Sequence, residues 1–165
     1  HPLSTYSSAA LAVIVQLCIG TDEIDSAKFK RIVDKVIKVI REVYGDNAPA
    51  MADFEEIVNR ALSHENDPRH DWEIIENSIG EGWVAEETLA IAVFSVLRHI
   101  DDFNGCLICA VNHGGDSDST GAVAGNIIGA ITGYKNLPEK FTQNLQLLEL
   151  ILSLSDNLCK IQTNP

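Results

Sequence analysis

Apolar residues recur every three or four positions along almost all of this chain, and no stretch of useful length alternates as a strand would. That pattern confines the chain to helices packed on helices. The fold expected is all-α, a compact multi-helix orthogonal bundle of eight or so helices. Leu3 to Ile19 is apolar nearly all round and predicts a buried helix closed by Gly20. Phe29, Val33, Val36, Ile37, Ile40 and Tyr44 form a second stripe, which Gly45-Asp46-Asn47 ends, and Met51 to Leu62 a third. The polar stretch Ser63 to His70, with Pro68, reads as a loop. Asp71 is expected to cap a short helix through Ile79, broken by Gly80-Glu81-Gly82. Leu89, Val93, Val96, Leu97 and Ile100 mark the next helix, and Asp101-Asp102 is expected to cap Phe103 to Val111. A Gly-rich helix then runs to about Tyr134, Pro138 suits the first turn of the following segment, and Leu145, Leu148, Ile151, Leu152 and Leu158 mark a final helix.

With 165 residues, a single domain over 1–165 is expected, large enough to bury a core without staples. The formal charge of −12 repels phosphate backbones and anionic lipid heads, so neither nucleic-acid backbone nor membrane is expected as a partner. The apolar run Ala9 to Val15 is short for a bilayer and is interrupted by Gln16. Cys18, Cys106, Cys109 and Cys159 are scattered, which does not suggest a secreted disulfide framework. Cys106 and Cys109 form a lone C-x-x-C without a second ligand pair for zinc. A cytoplasmic setting with reduced thiols is expected.

The chemistry concentrates between Asn112 and Gly133. Asp116, Asp118 and Ser119 place three hard oxygen donors within four residues, and Gly114 and Gly115 allow a sharp turn before them. Such oxygens suit Mg2+, Mn2+ or Ca2+ rather than zinc or copper. Asp and Ser ahead of a helix are equally what an ordinary N-cap uses. An EF-hand loop starting at Asp116 would need a bidentate Glu at its twelfth position, where Ile127 stands. No Lys follows the glycines, so a phosphate-binding P-loop fails as well. Gly121, Gly125, Gly129 and Gly133 recur on one helical face, each costing about 1 kcal/mol against alanine. Close approach of another helix, or of a ligand near Gly121, would explain them.

Gly114-Gly-Asp-Ser-Asp-Ser-Thr-Gly-Ala122, followed by Gly125-Asn126 and Gly129-Ala130, resembles the C-terminal metal motif of the ADP-ribosylglycohydrolases. Gly80-Glu-Gly-Trp-Val-Ala-Glu-Glu87, Ala110-Val111, Leu137-Pro138 and Leu148-Glu149 are similar to that family too, and His1-Pro2 resembles its Thr-His-Pro-like segment. The resemblance implies an all-α hydrolase that removes ADP-ribose from a protein side chain or small molecule, with two Mg2+ or Mn2+ ions in the complete site. It implies Asp116, Asp118 and Ser119 as metal ligands, with Ser119 where the family often has Thr. It implies Gly82, Trp83, Gly115 and His1 as substrate contacts, although a cloning remnant explains His1 as well. The family's Thr-Asp-Asp ligands and Gly-Asp motif have no counterpart here, since Thr21-Asp22-Glu23 reads as a helix cap. The chain is therefore expected to hold only part of a site and to be inactive alone. A missing N-terminal segment or a second copy is expected to cover the surface so exposed. His113 is expected to be an exposed loop residue. Two other classes stay open: a catalytically inactive helical binding or structural module of the same fold, and a regulatory metal-binding helical domain unrelated to ADP-ribose.

Overall fold

Ten consecutive residues of one helix, Thr88 to Leu97, are buried, and a helix with no polar face has to be surrounded by others. The computed structural model describes residues 1–45 and 48–163, all of it helix, turn and loop with no strand among them. In chain order the helices are α1 (Pro2–Ile19), α2 (Ser26–Tyr44), α3 (Ala48–Ser63), α4 (Asp71–Ile74), α5 (Ala85–Arg98), α6 (Phe103–Val111), α7 (Ser117–Thr132) and α8 (Leu148–Thr163). The all-α expectation holds. The chain divides into two compact units, His1–Tyr134 and a smaller one from Lys135 onward.

In the larger unit α5 packs against α1, α2, α3, α6 and α7. It contributes to both apolar clusters. Leu89, Ala92, Val93, Val96 and Leu97 face the main cluster, built with α1, α2, α3, α6 and α7. Ala90, Ile91 and Phe94 face the second, which holds Ala61, Ile74, Ile75, Ile79 and Cys109. The stripe expected on α2 is the face that is buried, and Asp25 caps that helix by accepting the Lys28 N–H at 2.6 Å. Asp46 and Asn47, expected to end it, lie outside the described residues. On α1 the buried face is Tyr6, Ala10, Ile14 and Cys18, while Ile19 is exposed, so this helix is one-sided rather than buried all round. By length and composition α1 is apolar enough to cross a membrane, and here its Tyr6 ring packs on Tyr44 and Phe54.

Of the two expected caps, Asp71 has other partners, and Asp102 keeps its place without a side-chain bond. Asp71 is the first residue of α4, not its cap; the Glu73 carboxylate accepts the His70 N–H instead. The Asp71 carboxylate accepts from Arg98 Nε at 2.9 Å and lies 2.7 Å from His99 Nε2, both at the far end of α5. Arg98 also donates to the carbonyls of His64, Glu65, Asp67 and Arg69, and so holds the whole 64–71 loop. Asp102 occupies the N-cap position of α6 without making a side-chain cap bond. After α4 the backbone widens into a π-helical turn, Ile75–Ile79, closed by Gly80 N–H on the Ile75 carbonyl at 2.9 Å.

In the smaller unit Pro138 precedes a short 3-10 turn, Glu139–Phe141, and α8 follows Leu147. Leu150, Ile151, Leu154 and Leu158 on α8 are exposed, as is Cys159.

Because Phe94 is fully buried on α5, Phe94→Ala should cost about 3–5 kcal/mol in urea denaturation, whereas Val43→Ala, on the exposed side of α2, should stay within about 0.5 kcal/mol.

Candidate functional site

Two glycine-containing turns meet at the N-termini of α5 and α7. The first is Gly80-Glu81-Gly82. Gly80 and Gly82 adopt φ of 149° and 81°, conformations that a side chain strains. The Glu87 carboxylate, on the first turn of α5, accepts the N–H groups of Glu81 and Gly82 at 3.2 and 3.0 Å. The Thr88 hydroxyl donates to the Gly82 carbonyl at 2.8 Å. The second turn is Gly114-Gly115-Asp116, and it is laced to the first: Asp116 N–H donates to the Glu81 carbonyl at 2.8 Å. A Cβ on Gly115 would sit 1.8 Å from that carbonyl oxygen, and one on Gly82 would sit 2.8 Å from the Thr120 methyl. Gly115 is therefore required by the backbone-to-backbone approach of the two turns, and Gly82 by its positive φ and the Thr120 methyl of α7.

The second turn is also held from behind. Gly115 N–H donates to His113 Nδ1 at 3.1 Å. Since an amide N–H only donates, Nδ1 is the acceptor, and His113 Nε2 carries the proton that it gives to the Ala110 carbonyl at 2.9 Å. The fully buried Thr120 hydroxyl donates to the same carbonyl at 2.6 Å. Gly114 N–H donates to Glu76, on the π-helical turn, at 2.8 Å. His113 is thus a half-buried scaffold residue rather than the exposed loop residue expected.

On this support stand the three donors expected to bind metal. Asp116 is the N-cap of α7, its carboxylate accepting the Ser119 N–H at 3.4 Å, and Asp118 and Ser119 lie in the first turn. The cap reading and the ligand reading thus describe the same residue. A hydrogen bond from Asp118, and next one from the Ser119 hydroxyl, hold the Asp116 carboxyl below the usual carboxylate range. Two carboxyl groups and a hydroxyl are therefore gathered at one point. An all-oxygen set fits Mg2+ or Mn2+.

The remaining expected residues are spread around this centre. Gly82 is buried at the junction of the two turns. Trp83 is 66% exposed, its indole N–H donating to Glu81 Oε2 at 3.0 Å. His1 is exposed at the N-cap of α1. The glycine face of α7 is less uniform than its spacing suggests. A Cβ at Gly121 would meet Val111 of α6 at 2.6 Å, Gly125 has Leu107 at 3.8 Å, and Gly129 has nothing within 4 Å. Gly133 lies beyond the helix, ending it at φ 72°. Sequence reasoning missed Glu76, Glu87, His113 and Thr120 as supports of the loop. Glu87 stands within the Gly80–Glu87 segment already singled out, and its spacing of five from Gly82 was the available signal.

A family model described as ADP-ribosylglycohydrolase matches residues 1–165. Over 72 residues, 44% of this chain, the sequence is 36% identical to an ADP-ribosylarginine hydrolase of Serratia proteamaculans (strain 568), covering 19% of that protein. Over 47 residues, 28% of this chain, it is 45% identical to an ADP-ribosyl-[dinitrogen reductase] glycohydrolase of Rhodospirillum rubrum, covering 16% of it. The match thus spans less than a fifth of either relative's length. No solved structure matches the chain.

The glycine contacts predict opposite outcomes for one substitution type. Gly115→Ala should destabilise the protein by about 1–3 kcal/mol, because its Cβ meets backbone. Gly129→Ala, with open space beside it in mid-helix, should stabilise by about 1 kcal/mol. Thermal melts of the two variants check both signs.

Proposed function

The chain belongs to the ADP-ribosylglycohydrolase family, and on that footing we propose that it serves the metal-dependent hydrolysis of the glycosidic bond between ADP-ribose and an acceptor. The observation that carries the reading is the convergence of Asp116, Asp118 and Ser119 on a turn whose shape is set by Glu81, Glu87 and His113. In this reading those three residues hold Mg2+ or Mn2+. A divalent ion there supplies Lewis-acid stabilisation and a template for the ribose hydroxyls. Asp116 and Asp118 contribute the negative charge that retains the ion, and Ser119 a neutral oxygen. Trp83 has most of its indole exposed, which suits stacking on the adenine, and the buried Gly82 beside it shapes the turn that presents it. Both relatives' names specify an ADP-ribosylated acceptor, arginine in one and dinitrogen reductase in the other, which favours a modified protein side chain as substrate.

A second reading, a helical module of the same fold that binds without hydrolysing, is favoured by ligand count. Two octahedral ions need about a dozen coordination positions, and this loop supplies three side-chain ligands. The rest fall to water, substrate and other protein groups.

Titrating ADP-ribose calorimetrically, with and without Mn2+, tests the proposal. The wild type should bind only with Mn2+, and Asp116→Ala/Asp118→Ala should lose that binding while keeping its helical content, because backbone bonds hold the turn. Binding indifferent to Mn2+ and to the double substitution, or no binding by either protein, would contradict it. Release of ADP-ribose from an ADP-ribosylated peptide then separates the hydrolase from the binding module.

A further inference from the structure

Three donors that the Asp116 turn does not use converge where α4, α5 and α6 meet. They are the carboxylate of Asp71 at the start of α4, the ring of His99 at the C-cap of α5, and the thiol of Cys109 within α6. One ligand atom from each lies within 4.8 Å of the others. A cleft of about 180 Å3 opens on them, lined by Asp71 and Cys109 together with His70, Trp72, Ile108 and Asn112. Cys109 is 3% exposed, whereas the side chains of Asp71 and His99 are each 27% exposed and have room to shift.

We infer that Asp71, His99 and Cys109 form a second cation site, for a borderline-soft divalent ion of the zinc class, with a fourth position open to the cleft. The chemistry of the donors sets it apart from the Asp116 turn. One oxygen, one nitrogen and one sulfur suit zinc and its neighbours, while Mg2+ and Mn2+ prefer the all-oxygen set. Tetrahedral bonds of about 2.0–2.3 Å put ligand atoms roughly 3.3–3.8 Å apart. The 2.7 Å between Asp71 Oδ2 and His99 Nε2 therefore has to open by about an ångström at most. As the ion binds, the Cys109 proton leaves to solvent and the sulfur–cation bond replaces the S–H bond. Thiolate and carboxylate together then balance the double positive charge.

The surroundings of the three donors match what such sites use to orient their ligands. Arg98 Nε occupies Asp71 Oδ1, so Oδ2, which here pairs with His99 Nε2, is the oxygen that would turn to the ion, and Arg98 is itself fixed by four loop carbonyls. Metal-bound histidines commonly give their other ring nitrogen to a carboxylate. Here His99 Nδ1 and Asp102 Oδ2 crowd the same point beside Gly105, where a Cβ would come within 2.9 and 2.6 Å of them. This accounts for a glycine inside a nine-residue helix and for an Asp102 that makes no side-chain cap bond.

The competing account is that Asp71, His99 and Arg98 are only an ion-pair clasp for the 64–71 loop. Co2+ titration of the chelator-treated chain, read by absorption, distinguishes the two. The inference predicts about one equivalent of Co2+ with a sulfur-to-cobalt charge-transfer band, bleached by Zn2+. Cys109→Ser should abolish the band and His99→Gln should weaken Co2+ binding about 10–100-fold, with helical content monitored in each. The band should survive Cys159→Ser, the exposed thiol, and also Asp116→Ala/Asp118→Ala, so the two cation sites fail or stand separately. No charge-transfer band, a band that persists in Cys109→Ser, or one removed by Cys159→Ser would overturn the inference.

Discussion

Burying Thr88 to Leu97 on every side leaves the polar work of α5 to its two ends. At the N-terminal end Glu87 and Thr88 turn back to hold the Gly80–Gly82 segment, the carboxylate taking two amides and the hydroxyl one carbonyl. At the C-terminal end Arg98 and His99 hold the 64–71 loop and Asp71. The helix between them joins both apolar clusters, so the two polar ends keep a fixed separation and direction. Everything that bears chemistry in the larger unit hangs from one of these ends.

The Asp116 turn shows what that arrangement achieves. Its backbone is shaped by protein partners: Glu81 through a carbonyl, His113 through Nδ1, Glu76 through a carboxylate. Preorganisation of this kind lowers the ordering cost of binding. It also explains the glycines at 82 and 115, where a Cβ would strike the Thr120 methyl of α7 and the Glu81 carbonyl respectively. The π-helical turn at Ile75–Ile79 belongs to the same scheme, since it carries Glu76, which reaches Gly114.

Local signals were legible and distant ones were not. The helices, the buried face of α2, the closing glycine of α1 and the gathering of Asp116, Asp118 and Ser119 all follow from spacings within a few residues. Asp71 looked like a cap because an N-cap is a local motif. Asp71 instead pairs with residues 27 and 28 positions away, and Glu76 with one 38 away, and such partners leave no local trace. The same limit hid the Asp71–His99–Cys109 convergence: the C-x-x-C of Cys106 and Cys109 offered no second ligand pair nearby, and Cys106 belongs to the main apolar cluster. The even glycine spacing on α7 suggested one continuous packing face, but only Gly121 is pressed close to a neighbour.

Through Glu87, a residue that is not itself one of the proposed ligands, α5 holds the Gly80–Gly82 segment on which the Asp116 turn, the proposed cation site, is laced. The Mn2+ affinity of Glu87→Ala, measured calorimetrically beside the wild type at matched helical content, tests this most directly. An affinity about 10–100-fold weaker, with stoichiometry unchanged, is the predicted result. An unchanged affinity would contradict it, because the turn would then owe its shape to something other than α5.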